Sequence, residues 1–251
     1  MNKLLWVILA SATLLGCVSN QSSGSSSTSD DYAATRARAH TELGAAYYQQ
    51  GKMEIALEEF SHATKADPNY SLAYNGLGLV YAALGQDAEA DASFKKSIQL
   101  APGNSESHNN YGSYLCGHNR IDESIVQYLE AVKNPLYATP SIAYTNAGIC
   151  SARKNDLKSA EMYLQRALQI EPLNHNAALS LAQIQLGRGD ARTAKISLQN
   201  ALIVGQSPEV LWVGIRISRA LGDKDAESSY ALQLRKQFPD SQQTQLLLSG
   251  Q

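Results

Sequence analysis

Apolar and polar positions recur along this chain with a fixed spacing. The segments "AHTELGAAYYQQGKMEIALEEFSHATKADPN" and "AYNGLGLVYAALGQDAEADASFKKSIQLAPGN", starting at Ala39 and Ala73, superimpose at an offset of 34 residues. Leu43-Gly44 falls on Leu77-Gly78, Tyr47 on Tyr81, Gly51 on Gly85, Ala56 on Ala90, Phe60 on Phe94 and Pro68 on Pro102. Gly112 lies 34 residues after Gly78, Gly148 another 36, and Ala182 a further 34. A fixed period of this length marks stacked units, each too small to bury its own apolar face.

Each recurring place of the period has a physical task. A small residue (Gly44, Gly78, Gly112, Gly148, Ala182) lets the first helix of a unit approach its partner closely. Gly51, Gly85 and Gly189 fall at the turn between the two helices, where glycine adopts positive φ at little cost. Ala56, Ala90, Ala160 and Ala194 stay small at the helix contact, while Phe60, Phe94, Tyr128, Leu164 and Leu198 fill the space between. Pro68, Pro102 and Pro172 end the second helix.

This order of aromatic, Leu-Gly, Tyr, Ala, Phe, Ala and Pro resembles the tetratricopeptide repeat. The resemblance implies an all-α fold, a right-handed superhelical solenoid of about six repeats. The repeats fall near 37–70, 71–104, 105–140, 141–174 and 175–208, with a degenerate one at 209–240. In that last repeat Trp212 holds the aromatic place, Arg216 falls where a small residue is expected, and Pro239 arrives one residue early. "QQTQLLL" after it reads as a short capping helix. The third repeat leaves through a longer exit, "KNPLYATPSI", which is either a plain loop insertion or a bend between repeats 1–3 and 4–6.

The amino-terminal part follows other rules. "MNKLLWVILASATLL" supplies one cation, Lys3, and an apolar run from Leu4 to Leu15, which suits a secretory signal and is short of the ~20 residues a spanning helix needs. Leu14-Leu15-Gly16-Cys17 resembles the bacterial lipobox. The resemblance implies cleavage of residues 1–16, acylation of Cys17 and, with Val18 rather than aspartate behind it, sorting to the outer membrane on its periplasmic face. Acyl chains bind membrane with ~0.8 kcal/mol per buried CH₂. Residues 17–31 then read as a lipidated cysteine and a disordered serine-rich tether, which spans roughly 20 Å on average, ahead of a repeat domain over 32–251.

Composition narrows the function. A formal net charge of −2 lacks the basic footprint that nucleic acid demands. No His-Glu-x-x-His, Cys-x-x-Cys, Walker loop or Gly-x-Ser-x-Gly occurs, so the reading is a non-enzyme with no cofactor beyond the lipid on Cys17, no metal and no small-molecule substrate. His40 and His108 stand at the aromatic fourth place of their helices, where Tyr74 and Tyr144 stand in others, and packing accounts for them.

Binding is what remains. Tetratricopeptide arrays take partners in a groove lined by fixed places of the first helices. Carried over, those places include Arg38, Thr41, Tyr48, Leu72, Asn75, Leu79, Asn109, Ile142 and Ile149, with Gln49, Glu106, Ser113, Thr145, Arg153, Leu179, Gln183 and Leu186 at further ones. The apolar members favour an extended or amphipathic apolar segment as ligand over a carboxylate terminus, which would call for more lysine or arginine.

The lipobox, tether and six repeats together resemble the type IV pilus biogenesis and stability lipoproteins, most closely through "ELGAAYYQQGKMEIALEEFSHATKADPNYSLAYNGLGLVYAALGQ" and "NNYGSYLCGHNRIDESI". That resemblance implies a pilotin, which escorts secretin subunits to the outer membrane and promotes their assembly. The alternative is a lipoprotein adaptor for peptidoglycan synthesis or β-barrel assembly. Cys116 and Cys150 stand on the first helices of consecutive repeats, near enough for a disulfide in an oxidising compartment, the other reading being two packed thiols.

Overall fold

Left-handed turn residues set where the first helix of each hairpin stops. Gly51, Gly85 and Gly189 have φ of 74°, 71° and 85°, and Asn119 and Asn155 take the same turn in the third and fourth units with φ of 60° and 62°. Asparagine is the side chain that best tolerates this region, so it replaces glycine there. At the first turn the Gly51 N–H donates to Tyr48 O and the Lys52 N–H to Tyr47 O, which caps the helix end and reverses the chain.

The computed structural model describes residues 25–250, and among them thirteen helices occur and no strand. α1 (Ser25–Gln49) pairs with α2 (Met53–Ala66), α3 (Ser71–Ala83) with α4 (Asp87–Leu100), and α5 (Ser105–Gly117) with α6 (Ile121–Ala131). α7 (Pro140–Arg153) pairs with α8 (Leu157–Ile170), α9 (His175–Gly187) with α10 (Ala191–Val204), and α11 (Pro208–Leu221) with α12 (Lys224–Gln237). α13 (Gln242–Leu248) closes the stack against α11 and α12. Side-chain oxygens of Asn104, Asp156, Asn174, Asp190 and Asp223 each accept an N–H from three residues ahead and start the helices that follow them.

The core is a series of local clusters strung along the stack. Ala56, Phe60, Leu77 and Val80 form one, Ala90, Phe94, Tyr111 and Leu115 the next, and Ala160, Leu164, Ala167 and Leu181 another. Each mixes residues of one hairpin with the first helix of its successor, as a solenoid requires. Curvature follows from which helices meet. The first helices touch in an unbroken row, α1 to α3, α5, α7, α9 and α11, whereas none of the second helices α2 to α12 packs on another. The row of first helices therefore lies on the inner, concave side.

Two differences from the sequence reading have physical causes. α1 begins at Ser25, so residues 25–31 of the expected tether are helical. Extending a helix already packed at its far end avoids the nucleation cost, which polar composition alone does not reveal. In the sixth hairpin the small residue is Gly214, not Arg216: a Cβ on Gly214 would meet the Tyr230 ring at 3.0 Å, and Arg216 is exposed. The Gly205-Gln206-Ser207 link before Pro208 is short, which shifts the period by two residues and hides Gly214 from a fixed count. That hairpin is fully formed, with Leu211, Ile215 and Leu234 buried under Leu247 of α13. The signal segment 1–16, Cys17 and residues 18–24 lie outside the described residues.

Candidate functional site: the concave row of first helices

The inner row is assembled through glycine. A Cβ on Gly78 would stand 2.7 Å from the Phe94 ring, and one on Gly112 2.8 Å from Tyr128, so α3 and α5 lie directly on the aromatic side chains of α4 and α6. That close approach pins one face of each first helix and turns the other toward the groove.

Polar rungs tie the row together. Asn110 Nδ2 donates to Asn75 Oδ1 at 3.3 Å, joining α5 to α3, and Asn146 Nδ2 donates to Asn109 Oδ1 at 3.2 Å, joining α7 to α5. Cys116 and Cys150 form a disulfide between α5 and α7 with Cα atoms 6.0 Å apart. Arg153 reaches across the same junction and donates to the Cys116 carbonyl at 2.6 Å. The long exit after α6 thus leads to a junction secured by a covalent bond and two hydrogen bonds.

The groove positions divide by environment. Leu72, Ile142 and Ile149 are apolar yet 39%, 44% and 38% exposed. Leu79 and Tyr48 are half-buried, Leu79 against the Phe94 cluster and Tyr48 against the Phe60 cluster. Asn75 is buried beneath its Asn110 rung, so it contributes to the wall and not to the open surface. Asn109 is half-buried with its amide oxygen engaged, Thr41 donates to Ala37 O, and Arg38 is exposed beside Glu42 at 3.9 Å. Among the further positions Glu106, Ser113, Arg153 and Gln183 are exposed, Thr145 is buried, and Leu179 and Leu186 pack on the cluster around Leu198.

A charged network sits at the turn edge of repeats 2 and 3. Asp91 is partly buried, which pushes its carboxyl up, but bonds from Lys95, Arg120 and Tyr111 outweigh this and hold it at about 2. Burial and the Asp91 carboxylate both push the Tyr111 phenol well up. Arg120 forks between Glu123 and Asp91 at 2.6 Å each, which braces α6 against α4. These groups satisfy one another and serve the stack.

Comparisons with known proteins agree with this geometry. Models described as "TPR repeat" and "Tetratricopeptide repeat" match residues 44–85, 71–104 and 142–172. A type IV pilus assembly protein, PilF of Pseudomonas aeruginosa, is 28% identical over 240 residues, covering 94% of this chain and 93% of its own. The crystal structure of PilW, described as a widely conserved type IV pilus biogenesis factor, is 32% identical, covers 84% of this chain and 98% of its own, and superposes with a TM-score of 0.77. The chain is a tetratricopeptide-repeat protein related to PilF and PilW. The solved structure of Pseudomonas aeruginosa PilF superposes at a TM-score of 0.78 with 26% identity, over 89% of this chain and all of that one.

The troughs that remain are shallow: the one between 103–106 and 134–139 holds about 390 Å³, and Glu106 and Tyr137 are its titratable side chains. Sequence reasoning missed the Asn75–Asn110 and Asn109–Asn146 rungs, although asparagines at adjacent places of successive first helices are a visible signal.

Proposed function

We propose that this protein is an outer-membrane lipoprotein scaffold that binds secretin subunits and promotes their localisation and multimerisation for type IV pilus biogenesis. The observation that carries the reading is the set of exposed apolar side chains on the concave row, Leu72, Ile142 and Ile149, in a chain related over nearly its whole length to PilF and PilW. Apolar surface on an otherwise polar groove suits an unassembled, β-rich client whose strand edges would otherwise aggregate. A lipid on Cys17 would carry scaffold and client to the membrane together, and no co-substrate is needed, since the scaffold works by binding.

The reading is tested in cells. Deleting the gene should abolish detergent-resistant secretin multimers and twitching motility while leaving cell shape normal. A cell-wall or general envelope defect with intact secretin multimers would favour the adaptor for peptidoglycan synthesis or β-barrel assembly instead.

A further inference from the structure

We propose that His40, Glu59 and His62 form a zinc-class metal site that clips α1 to α2 at the first repeat of the stack. Glu59 and His62 stand three residues apart on α2 and so share one face of that helix. His40 meets them from α1, with its Nδ1 2.7 Å from Glu59 Oε2. One ligand atom from each of the three lies within 4.8 Å of the others. The His40 and His62 rings meet edge to face with centroids 5.2 Å apart.

Donor chemistry selects the metal. Two imidazoles and a carboxylate suit zinc and its transition-metal neighbours, whereas magnesium and calcium prefer all-oxygen shells. On a tetrahedral zinc with bonds near 2.0–2.1 Å, neighbouring ligand atoms stand roughly 3.3 Å apart. The three ligand atoms, already within 4.8 Å of one another, would have to close to that spacing around the metal. Three protein ligands leave the fourth position for water. Glu58 lies 4.0 Å from His62 Nε2 and can orient that ring from outside.

The third repeat supplies an internal comparison. His108 occupies the place of His40, and its Nδ1 contacts Gln127 Oε1 at 2.7 Å while its Nε2 contacts the Pro102 carbonyl at 2.9 Å. A neutral amide therefore suffices where the histidine only braces a hairpin. The first repeat has a carboxylate in that place, and it adds His62 where the third has Glu130. The second repeat, with Tyr74, Ser93 and Lys96, and the fourth, with Tyr144, Tyr163 and Arg166, have no such set. The ligands gather only in the hairpin that lacks a preceding neighbour among the described residues, where a clip compensates for the missing packing.

The test uses the full chain in detergent, without a histidine tag and stripped with EDTA. Calorimetric titration with zinc chloride should show one saturable site per chain, with magnesium chloride silent, and the thermal midpoint should rise with zinc and fall back with EDTA. Glu59→Gln, which installs the pairing already present in the third repeat, should keep the fold by circular dichroism and weaken zinc at least tenfold. His62→Gln should do the same, and His118→Gln should leave the affinity unchanged. No saturable zinc binding by the wild type, or equal affinity in the folded Glu59→Gln and His62→Gln variants, would overturn the proposal.

Discussion

Gly76 lies so close to Phe60 that a Cβ there would stand 2.2 Å from the ring edge, and the same ring lies against Gly44 on its other neighbour, α1. One phenylalanine of α2 is thus held between glycines of two successive first helices. This contact sets the spacing of repeats 1 and 2. Gly76→Ala should destabilise the protein by about 1–3 kcal/mol through overpacking. Adding Phe60→Leu should recover part of that loss, since a flexible smaller side chain makes room. Urea denaturation of the two single variants and the double one measures the coupling, and simple additivity would show that the pair does not interact.

The Cys116–Cys150 bridge closes a loop with a sequence separation of 34 at the junction that follows the long exit. Loop-closure entropy gives it about 4 kcal/mol. Reduction, or a double Cys→Ser variant, should lower the denaturant midpoint while α5 and α7 stay helical. Two thiols titrating in the denatured, unreduced protein, besides any on Cys17, would show that the bridge is not formed.

Acid should loosen the contact between repeats 2 and 3. The folded-state pKa of Asp91, about 2, lies below the ordinary carboxylate value. Its stabilising contribution is therefore complete above about pH 4 and is lost as the pH falls toward 2. Asp91→Asn should be less stable than wild type at pH 7 and should lose less stability between pH 4 and 2. Parallel acid titrations followed by circular dichroism would decide, and identical curves would remove Asp91 from the account.

Most of the stack was legible from spacing alone, because each small or aromatic place answers to a steric demand that repeats. The Ala56–Phe60 core and the turns at Gly51 and Gly85 needed only the period. What escaped the count was whatever breaks or supplements it. Gly76 stands two residues before the repeating glycine, and its need for space comes from Phe60 of the preceding hairpin, a contact that the period does not encode. Asn119 and Asn155 do a glycine's work through side-chain tolerance of the left-handed region. Gly214 was displaced by a short link, and Asn75 looked open until Asn110 from the first helix of the next repeat covered it. His40 reads as packing from the sequence, and its contacts with Glu59 and His62, 19 and 22 residues away on another helix, lie outside what the period encodes.

The anchor has its own test. Cys17→Ala should move the protein from the outer-membrane fraction to the soluble periplasm and misplace the secretin with it. Unchanged membrane retention would remove the lipid from the account.

Binding through the concave face is the central claim, and a paired pulldown measures it most directly. Wild-type protein and a folded Leu72→Glu/Ile149→Glu variant, both positions being exposed, would be used to capture partners from detergent-solubilised outer membranes. The account predicts that the wild type recovers a secretin and that the variant recovers at least tenfold less, about 1.4 kcal/mol of lost binding. Equal recovery by both would place the interface on another face, and recovery of no secretin by the wild type would contradict the proposed function itself.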